Sequence, residues 1–339
     1  MENNPAGLDG LDFIEFSSAD PGMLEKLFEN FGLTKIAKHK TKDVFLFRQS
    51  DINFILNNTS GSFAESFHRK HGPSICATGF RFKDAKKAFN YALSKGAKAY
   101  EGESKYPAIH GIGDSLIYFI DHYGENSIFD DDFEYIVKDK HPKGFNLFLI
   151  DHLTNNVPHG EMQKWCDFYK NTFNFREVRY FDIKGQQTGL ISKVMKSPCD
   201  KIIIPINEPK DNKSQIQEYI EEYKGSGIQH LALLTKDIIP TVKKLRKQGI
   251  EFLDTPDTYY EVLKERVPYI SEDVETLKDL RILADGDPEG YLLQIFTKNL
   301  VGPIFVEIIQ RKNHFGFGEG NFQALFDSIE RDQKRRGVL

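Results

Sequence analysis

Two histidines and a glutamate stand in short, strand-like runs rich in apolar residues. His152 lies in LFLIDHLT (147–154), His230 in GIQHLALL (227–234) and Glu307 in GPIFVEIIQRK (302–312). Burying an imidazole without a partner costs on the order of 1–3 kcal/mol. A carboxylate in such a strand is rarer still unless it is paired or holds a metal. The intervals are near-equal, 230 − 152 = 78 and 307 − 230 = 77 residues. In a repeated fold such intervals place equivalent strands side by side, so all three side chains can meet on one curved face. Two imidazoles and one carboxylate on one face of an octahedral ion leave three positions open, as in non-haem ferrous oxygenases. Nitrogen and oxygen donors hold Fe(II) without the thiolates that favour zinc or copper. The competing reading makes each histidine a hydrogen-bonded core residue and pairs Glu307 with Arg311.

The elements that must position these groups are duplicated. CATGFRFKDAKKAFNYALSKGAKAY begins at Cys76 and QHLALLTKDIIPTVKKLRKQGIEFL at Gln229, an offset of 229 − 76 = 153 without a gap. Lys83-Asp84 falls on Lys236-Asp237, Gly96 on Gly249, and Ala77 on His230. A second pair, DFIEFSS (12–18) and LFLIDHLT, aligns at 152 − 16 = 136 and sets Phe16 on His152. Imidazoles in only one copy imply a scaffold half and a catalytic half. After the first strand, Asp20 is a cap and Pro21 a first helical residue. Leu24, Leu27, Phe28 and Phe31 follow helical spacing, and Gly32 closes the helix. Met162, Trp165, Cys166 and Tyr169 repeat the stripe, with Asn174 in the place of Gly32.

These patterns predict an α+β fold of four βαβββ-like units, paired into two domains of mainly antiparallel sheet with helices outside. The expected limits are 1–135 for a non-catalytic domain, 136–144 for a linker and 145–339 for the catalytic domain. A last helix beyond about residue 320 presents Phe322, Leu325, Phe326 and Ile329 on one face.

Net charge is −5, with no clustering of Lys/Arg and exposed aromatics, which argues against nucleic acid. No apolar run approaches the roughly 20 residues that cross a bilayer. The polar start MENNPAGLDG lacks the regions of a signal peptide, so a cytoplasmic protein is expected. Cys76, Cys166 and Cys199 lack metal spacing and read as structural. His39, His68, His71, His110, His122, His141, His159 and His314 read as solvated surface. GFGEGNF (316–322) lacks the P-loop lysine and reads as a tight turn.

The motifs DHLTNNV, PINEP, SQIQEY, GIQHLAL, GYLLQIFTK and EIIQRKNHFGFGEGNFQALF resemble those of the 4-hydroxyphenylpyruvate dioxygenases, members of the vicinal-oxygen-chelate superfamily. The resemblance is close over 145–339, and the first half fits the family's more divergent N-terminal domain. It implies glyoxalase-like tandem βαβββ open barrels with a C-terminal lid helix, and Fe(II) held by His152, His230 and Glu307. It also implies conversion of 4-hydroxyphenylpyruvate and dioxygen to homogentisate and carbon dioxide in tyrosine catabolism. The substrate's own keto acid serves, so no separate 2-oxoglutarate is needed. By motif, Ser192, Asn207, Gln215, Gln229 and Gln294 are the polar residues around the substrate. Phe296, Phe305, Phe317, Phe322 and Phe326 are the aromatic wall, with Asn321 beside it; Gln229, Gln294 and Phe296 are the residues nearest the chemistry. Ideal alternation points Gln229 away from His230. A homo-oligomer, dimer or tetramer, is implied. The rival readings are hydroxymandelate synthase, an extradiol dioxygenase and a non-catalytic binding protein on the same scaffold; Pro205 and the phenylalanine-rich last segment favour ring attack.

Overall fold

The computed structural model describes residues 3–184 and 189–321. Strand-forming runs build two eight-stranded sheets. The first holds β1 (Leu8–Ser17), β2 (Thr34–His39), β3 (Val44–Gln49), β4 (Ile52–Asn57), β5 (Ser74–Phe82), β6 (Ala108–His110), β7 (Leu116–Ile120) and β8 (Phe133–Tyr135). The second holds β9 (Leu147–Asn156), β10 (Arg176–Lys184), β11 (Gly189–Lys196), β12 (Ile203–Pro209), β13 (Gly227–Thr235), β14 (Leu283–Asp287), β15 (Gly290–Phe296) and β16 (Phe305–Lys312). Their orders are β8-β2-β3-β4-β1-β5-β7-β6 and β10-β11-β12-β9-β13-β16-β15-β14. Seven strands of each half correspond in order, β2-β3-β4-β1-β5-β7-β6 with β10-β11-β12-β9-β13-β16-β15, down to the parallel pairs β1/β4 with β9/β12 and β5/β7 with β13/β16. The remaining pairings are antiparallel, as the alternation predicts.

Among the described residues, α-helices accompany the sheets: α1 (Pro21–Asn30), α2 (Phe63–His71), α3 (Ala85–Ser94), α4 (Ile128–Asp132), α5 (Met162–Phe173), α6 (Gln215–Tyr223) and α7 (Ile238–Lys247), with three more within 258–280. The α1 signals operate as read: Asp20 accepts from the Met23 amide at 3.1 Å, and Leu24 and Phe28 are buried. Gly32 (φ +83°) and Asn174 (φ +59°) both take the left-handed turn that ends a helix. At Gly32 the glycine is also steric, since a Cβ would lie 2.8 Å from the Phe145 ring. One unit departs from the predicted pattern. β8 leaves the β5–β7 group and pairs with β2 at the far edge.

The halves share apolar packing. Phe173 of α5 has Phe80, Phe119 and Phe82 at 5.6, 5.9 and 6.0 Å between ring centroids. His71, expected on the surface, is 5 % exposed; its Nδ1 donates to the Tyr223 carbonyl at 2.6 Å and its ring stacks on Tyr223. It closes the contact between α2 and α6, a role that local sequence does not reveal.

Strand register corrects one equivalence. Gly79 and Ala232 are 153 residues apart; Gly79 pairs with Phe13 and Tyr118, Ala232 with His152 and Glu307. The first-half counterpart of His152 is therefore Phe13, since bulges at different places in β1 and β9 break the simple offset. The positions of His152, His230 and Glu307 are held by Phe13, Ala77 and Tyr118 in the first sheet. Phe13 packs on Tyr118 at 6.0 Å and on Phe129 of α4 at 6.4 Å, and a Cβ on Gly79 would meet the Phe13 ring at 2.3 Å. Aromatic rings fill this space in the first half.

Candidate metal centre

In the second sheet the same space carries donors. Ala232 stands in register between His152 of β9 and Glu307 of β16. Residues in register share a face, so His152, Ala232 and Glu307 form a row. His230, two residues before Ala232, points the same way, and the small alanine leaves the middle open. Glu307 Oε2 lies 3.2 Å from His152 Nε2 and 3.5 Å from His230 Nε2, and the three candidate ligand atoms fall within 4.8 Å of one another. With metal–ligand distances of about 2.1 Å, ligands at right angles sit about 3 Å apart, so these separations suit one ion. Among the described residues, Glu307 Oε1 is buried without a hydrogen-bond partner. Such an orphaned carboxylate oxygen fits a cation site, and the donor set of two imidazoles and a carboxylate fits a divalent first-row metal.

Two bulges aim the imidazoles. Ile228 and His230 pair with consecutive residues Asn155 and Thr154, leaving Gln229 as the extra residue of β13. Ala232 and Leu233 pair with His152 and Ile150, leaving Asp151 as the extra residue of β9. A bulge re-aims the side chain it carries. His152 Nδ1 thus donates to Asp151 Oδ2 at 2.7 Å, and His230 Nδ1 to Gln229 Oε1 at 3.2 Å. Fixing Nδ1–H turns each Nε2 toward Glu307. Arg311 does not neutralise Glu307; its Nε and Nη2 donate to the two oxygens of Asp151, each at 2.7 Å.

Burial opposes charge throughout, and the pairings decide who carries it. Burial would raise Glu307, yet the neighbouring His152 and then His230 bring it down to about 2. Burial would lower His152, but Glu307 and Asp151 push it up to about 9. Burial wins at His230, which stays below its ordinary value against the pull of Glu307. Asp151, despite burial, is held well below the usual carboxylate range by Arg311 and His152. A divalent ion would take the place of the His152 proton.

The three residues sit in the wall of a cavity of about 640 Å³. Phe181, Ser192 and Asn207 are in register across β10, β11 and β12, and Asn207 Nδ2 donates to Asn156 Oδ1 at 3.2 Å. Phe296 is in register with Glu307. Phe305 pairs with His230, their rings stacked at 4.7 Å and 19°. Phe317 stands edge-on to His152 at 5.3 Å.

Comparison with known proteins decides the family. Residues 2–134 match the model of the hydroxyphenylpyruvate dioxygenase N-terminal domain, and residues 149–295 that of the glyoxalase/bleomycin resistance protein/dioxygenase superfamily. The chain is 52 % identical to 4-hydroxyphenylpyruvate dioxygenase of Pseudomonas aeruginosa, covering 100 % of this chain and 98 % of that protein. It is 51 % identical to the enzyme of the same name from Legionella pneumophila, over 100 % and 99 %. The chain belongs to the 4-hydroxyphenylpyruvate dioxygenase family. Hemolysin VllY of Vibrio vulnificus, 52 % identical over 99 % of this chain and 98 % of its own, is a further relative. Among solved structures, a triple mutant of 4-hydroxymandelate synthase from Streptomyces coelicolor shares the fold at TM-score 0.82, with 24 % identity over 96 % of this chain and 99 % of that one. A xylose isomerase-like TIM barrel/4-hydroxyphenylpyruvate dioxygenase fusion protein superposes at 0.81, with 29 % identity over 96 % of this chain and 53 % of that one.

Of the residues that membership in the 4-hydroxyphenylpyruvate dioxygenases implied, Ser192, Asn207, Gln215, Gln229, Phe296, Phe305 and Phe317 line the cavity. Gln294 is 1 % exposed and packs against Gly318, where a Cβ would come 2.3 Å from its Nε2; it lies two residues before Phe296 on β15 and so shares that residue's face. Asn321 is 2 % exposed, and its Oδ1 accepts from Tyr259 at 2.6 Å and Arg266 at 3.2 Å, anchoring the end of the 316–320 turn. Phe322 and Phe326 lie outside the described residues. His314, expected on the surface, is 8 % exposed, and its Nδ1 accepts from the Gly316 amide. Sequence reasoning missed Asp151, Phe181 and Thr154. For Asp151 alternation was misleading, because the bulge that redirects it leaves no mark in composition.

Proposed function

We infer that this protein converts 4-hydroxyphenylpyruvate and dioxygen to homogentisate and carbon dioxide in tyrosine catabolism, with Fe(II) as its metal. The observation that carries this reading is a His152–His230–Glu307 donor set, with one orphaned carboxylate oxygen, at the wall of a phenylalanine-lined cavity. A volume of about 640 Å³ suits an aromatic keto acid. When bound, ferrous iron supplies the redox chemistry of dioxygen and gathers keto acid and oxygen at one point.

The chain's own groups do the rest. Phe296, Phe305 and Phe317 exclude water and hold the substrate ring, and Phe305 also fixes the His230 ring by stacking. Ser192, Asn207, Gln215 and Gln229 are neutral, so they bond the phenol and keto acid without adding charge beside a dication. One oxygen atom enters the ring and one enters the shortened side-chain carboxylate as carbon dioxide leaves. Pro205 lines the same cavity and favours ring attack over benzylic attack, the outcome of the 4-hydroxymandelate synthase alternative. The same reading includes a cytoplasmic homo-oligomer and a catalytic unit within 145–339.

The reading is tested by adding Fe(II) and 4-hydroxyphenylpyruvate to the protein without oxygen. A weak visible absorption that needs both additions is expected. Its absence with verified metal binding would leave a binding protein that does not chelate substrate at the metal.

A further inference from the structure

We propose that Arg311 is a positioning residue that ties the metal seat to the cavity wall, so that metal binding and the seating of Phe317 are coupled. This rests on the metal reading above. Arg311 spends its donors in two directions. Nε and Nη2 form a fork onto both oxygens of Asp151, whose Oδ2 also holds His152 Nδ1 at 2.7 Å. Nη1 donates to the carbonyls of His314 at 3.1 Å and Gly316 at 2.7 Å, on the turn that presents Phe317. The circuit then closes through space: the Phe317 ring lies 5.3 Å from His152 and 5.5 Å from the Arg311 guanidinium.

The placement is specific. Arg311 and Asp151 side chains are 14 % and 7 % exposed. A buried pair is a weak source of stability, because desolvation offsets most of its attraction; its fork instead fixes geometry. Among the described residues His230 has no equivalent, for its Nδ1 meets the neutral Gln229 amide at a longer 3.2 Å. One candidate ligand is thus held by a charged fork that also grips the wall, and the other is held locally. Lysine cannot substitute, since a point donor cannot span both Asp151 oxygens and two carbonyls.

The test uses Co(II) titrated into metal-free full-length protein, together with chymotryptic cleavage at Phe315 and Phe317 with and without the metal. Wild type is expected to bind Co(II) and gain protection in the turn. Arg311→Lys is expected to bind about 10–100-fold more weakly and to gain no protection even at saturating Co(II). Folded Arg311→Lys with wild-type affinity, or with metal-dependent protection intact, would overturn the proposal. Should that variant not fold, Phe317→Ala probes the circuit from its other end. Phe317 offers no ligand atom, yet coupling is reciprocal, so its loss should weaken Co(II) binding; unchanged affinity would overturn the proposal. A wild-type protein that binds no Co(II) would instead bring down the metal reading itself.

Discussion

Gly318→Ala should harm the protein in two separable ways. Gly318 has φ +78°, and a Cβ there would lie 2.3, 2.4 and 2.6 Å from Nε2, Oε1 and Cδ of Gln294. A left-handed backbone costs an L side chain about 1–2 kcal/mol, and overpacking a filled site typically costs about 1–3 kcal/mol. Their sum is about 2–5 kcal/mol. At roughly 2–4 °C per kcal/mol, Tm should fall by at least about 4 °C. Truncating Gln294 removes the atoms in the way but leaves the backbone as it is. In a Gln294→Ala background, Gly318→Ala should therefore cost only the backbone part, about 1–2 kcal/mol. Thermal unfolding of the four proteins of this cycle isolates the contact. Substrate KM should rise in Gly318→Ala, because the displaced turn carries Phe317. Equal costs in the two backgrounds would refute the contact, and an unchanged Tm for the single variant would refute the described turn.

Other predictions follow from the same geometry. Glu307→Ala should abolish metal retention and turnover while leaving the circular dichroism spectrum unchanged; retained activity would remove Glu307 from the donor set. Phe13→Ala, in the aromatic filling of the first half, should cost about 3–5 kcal/mol of stability and leave kcat/KM of the folded fraction unchanged; a selective loss of kcat/KM would show that this half is more than scaffold. Burial lowers His71, and its bond to the Tyr223 carbonyl opposes that only in part. As pH falls, the unfolded chain takes up this proton first, so the stability is present above about 6.5 and is lost below it toward the folded-state value. Tm should fall between about pH 7.5 and 5.5, and fall less in His71→Gln; identical pH profiles would refute the role of His71.

Much of this arrangement was legible because the chemistry clashed with its surroundings. His152, His230 and Glu307 stood out as polar groups in apolar strands, and the repeat explained why they should meet. Gly96 and Gly249, both with positive φ, show how far the duplication extends into turn geometry. The rest was hidden by what a linear pattern cannot carry. Gln229 and Asp151 reach the histidines only because bulges break alternation. Bulges also moved the counterpart of His152 from Phe16 to Phe13. Gln294 and Asn321 belong to motifs shared with the family, and their packing against Gly318 and Tyr259 is a contact that motif position alone does not show. His71 and His314 looked like surface because their partners come from distant segments.

Oxygen uptake by the iron-loaded protein with 4-hydroxyphenylpyruvate, with products separated by chromatography, tests the central claim most directly. Homogentisate and carbon dioxide, formed one for one with oxygen consumed, are the predicted result. Hydroxymandelate as the product would keep the metal site and contradict ring attack. No oxygen consumption at verified iron occupancy would contradict the assignment of a dioxygenase.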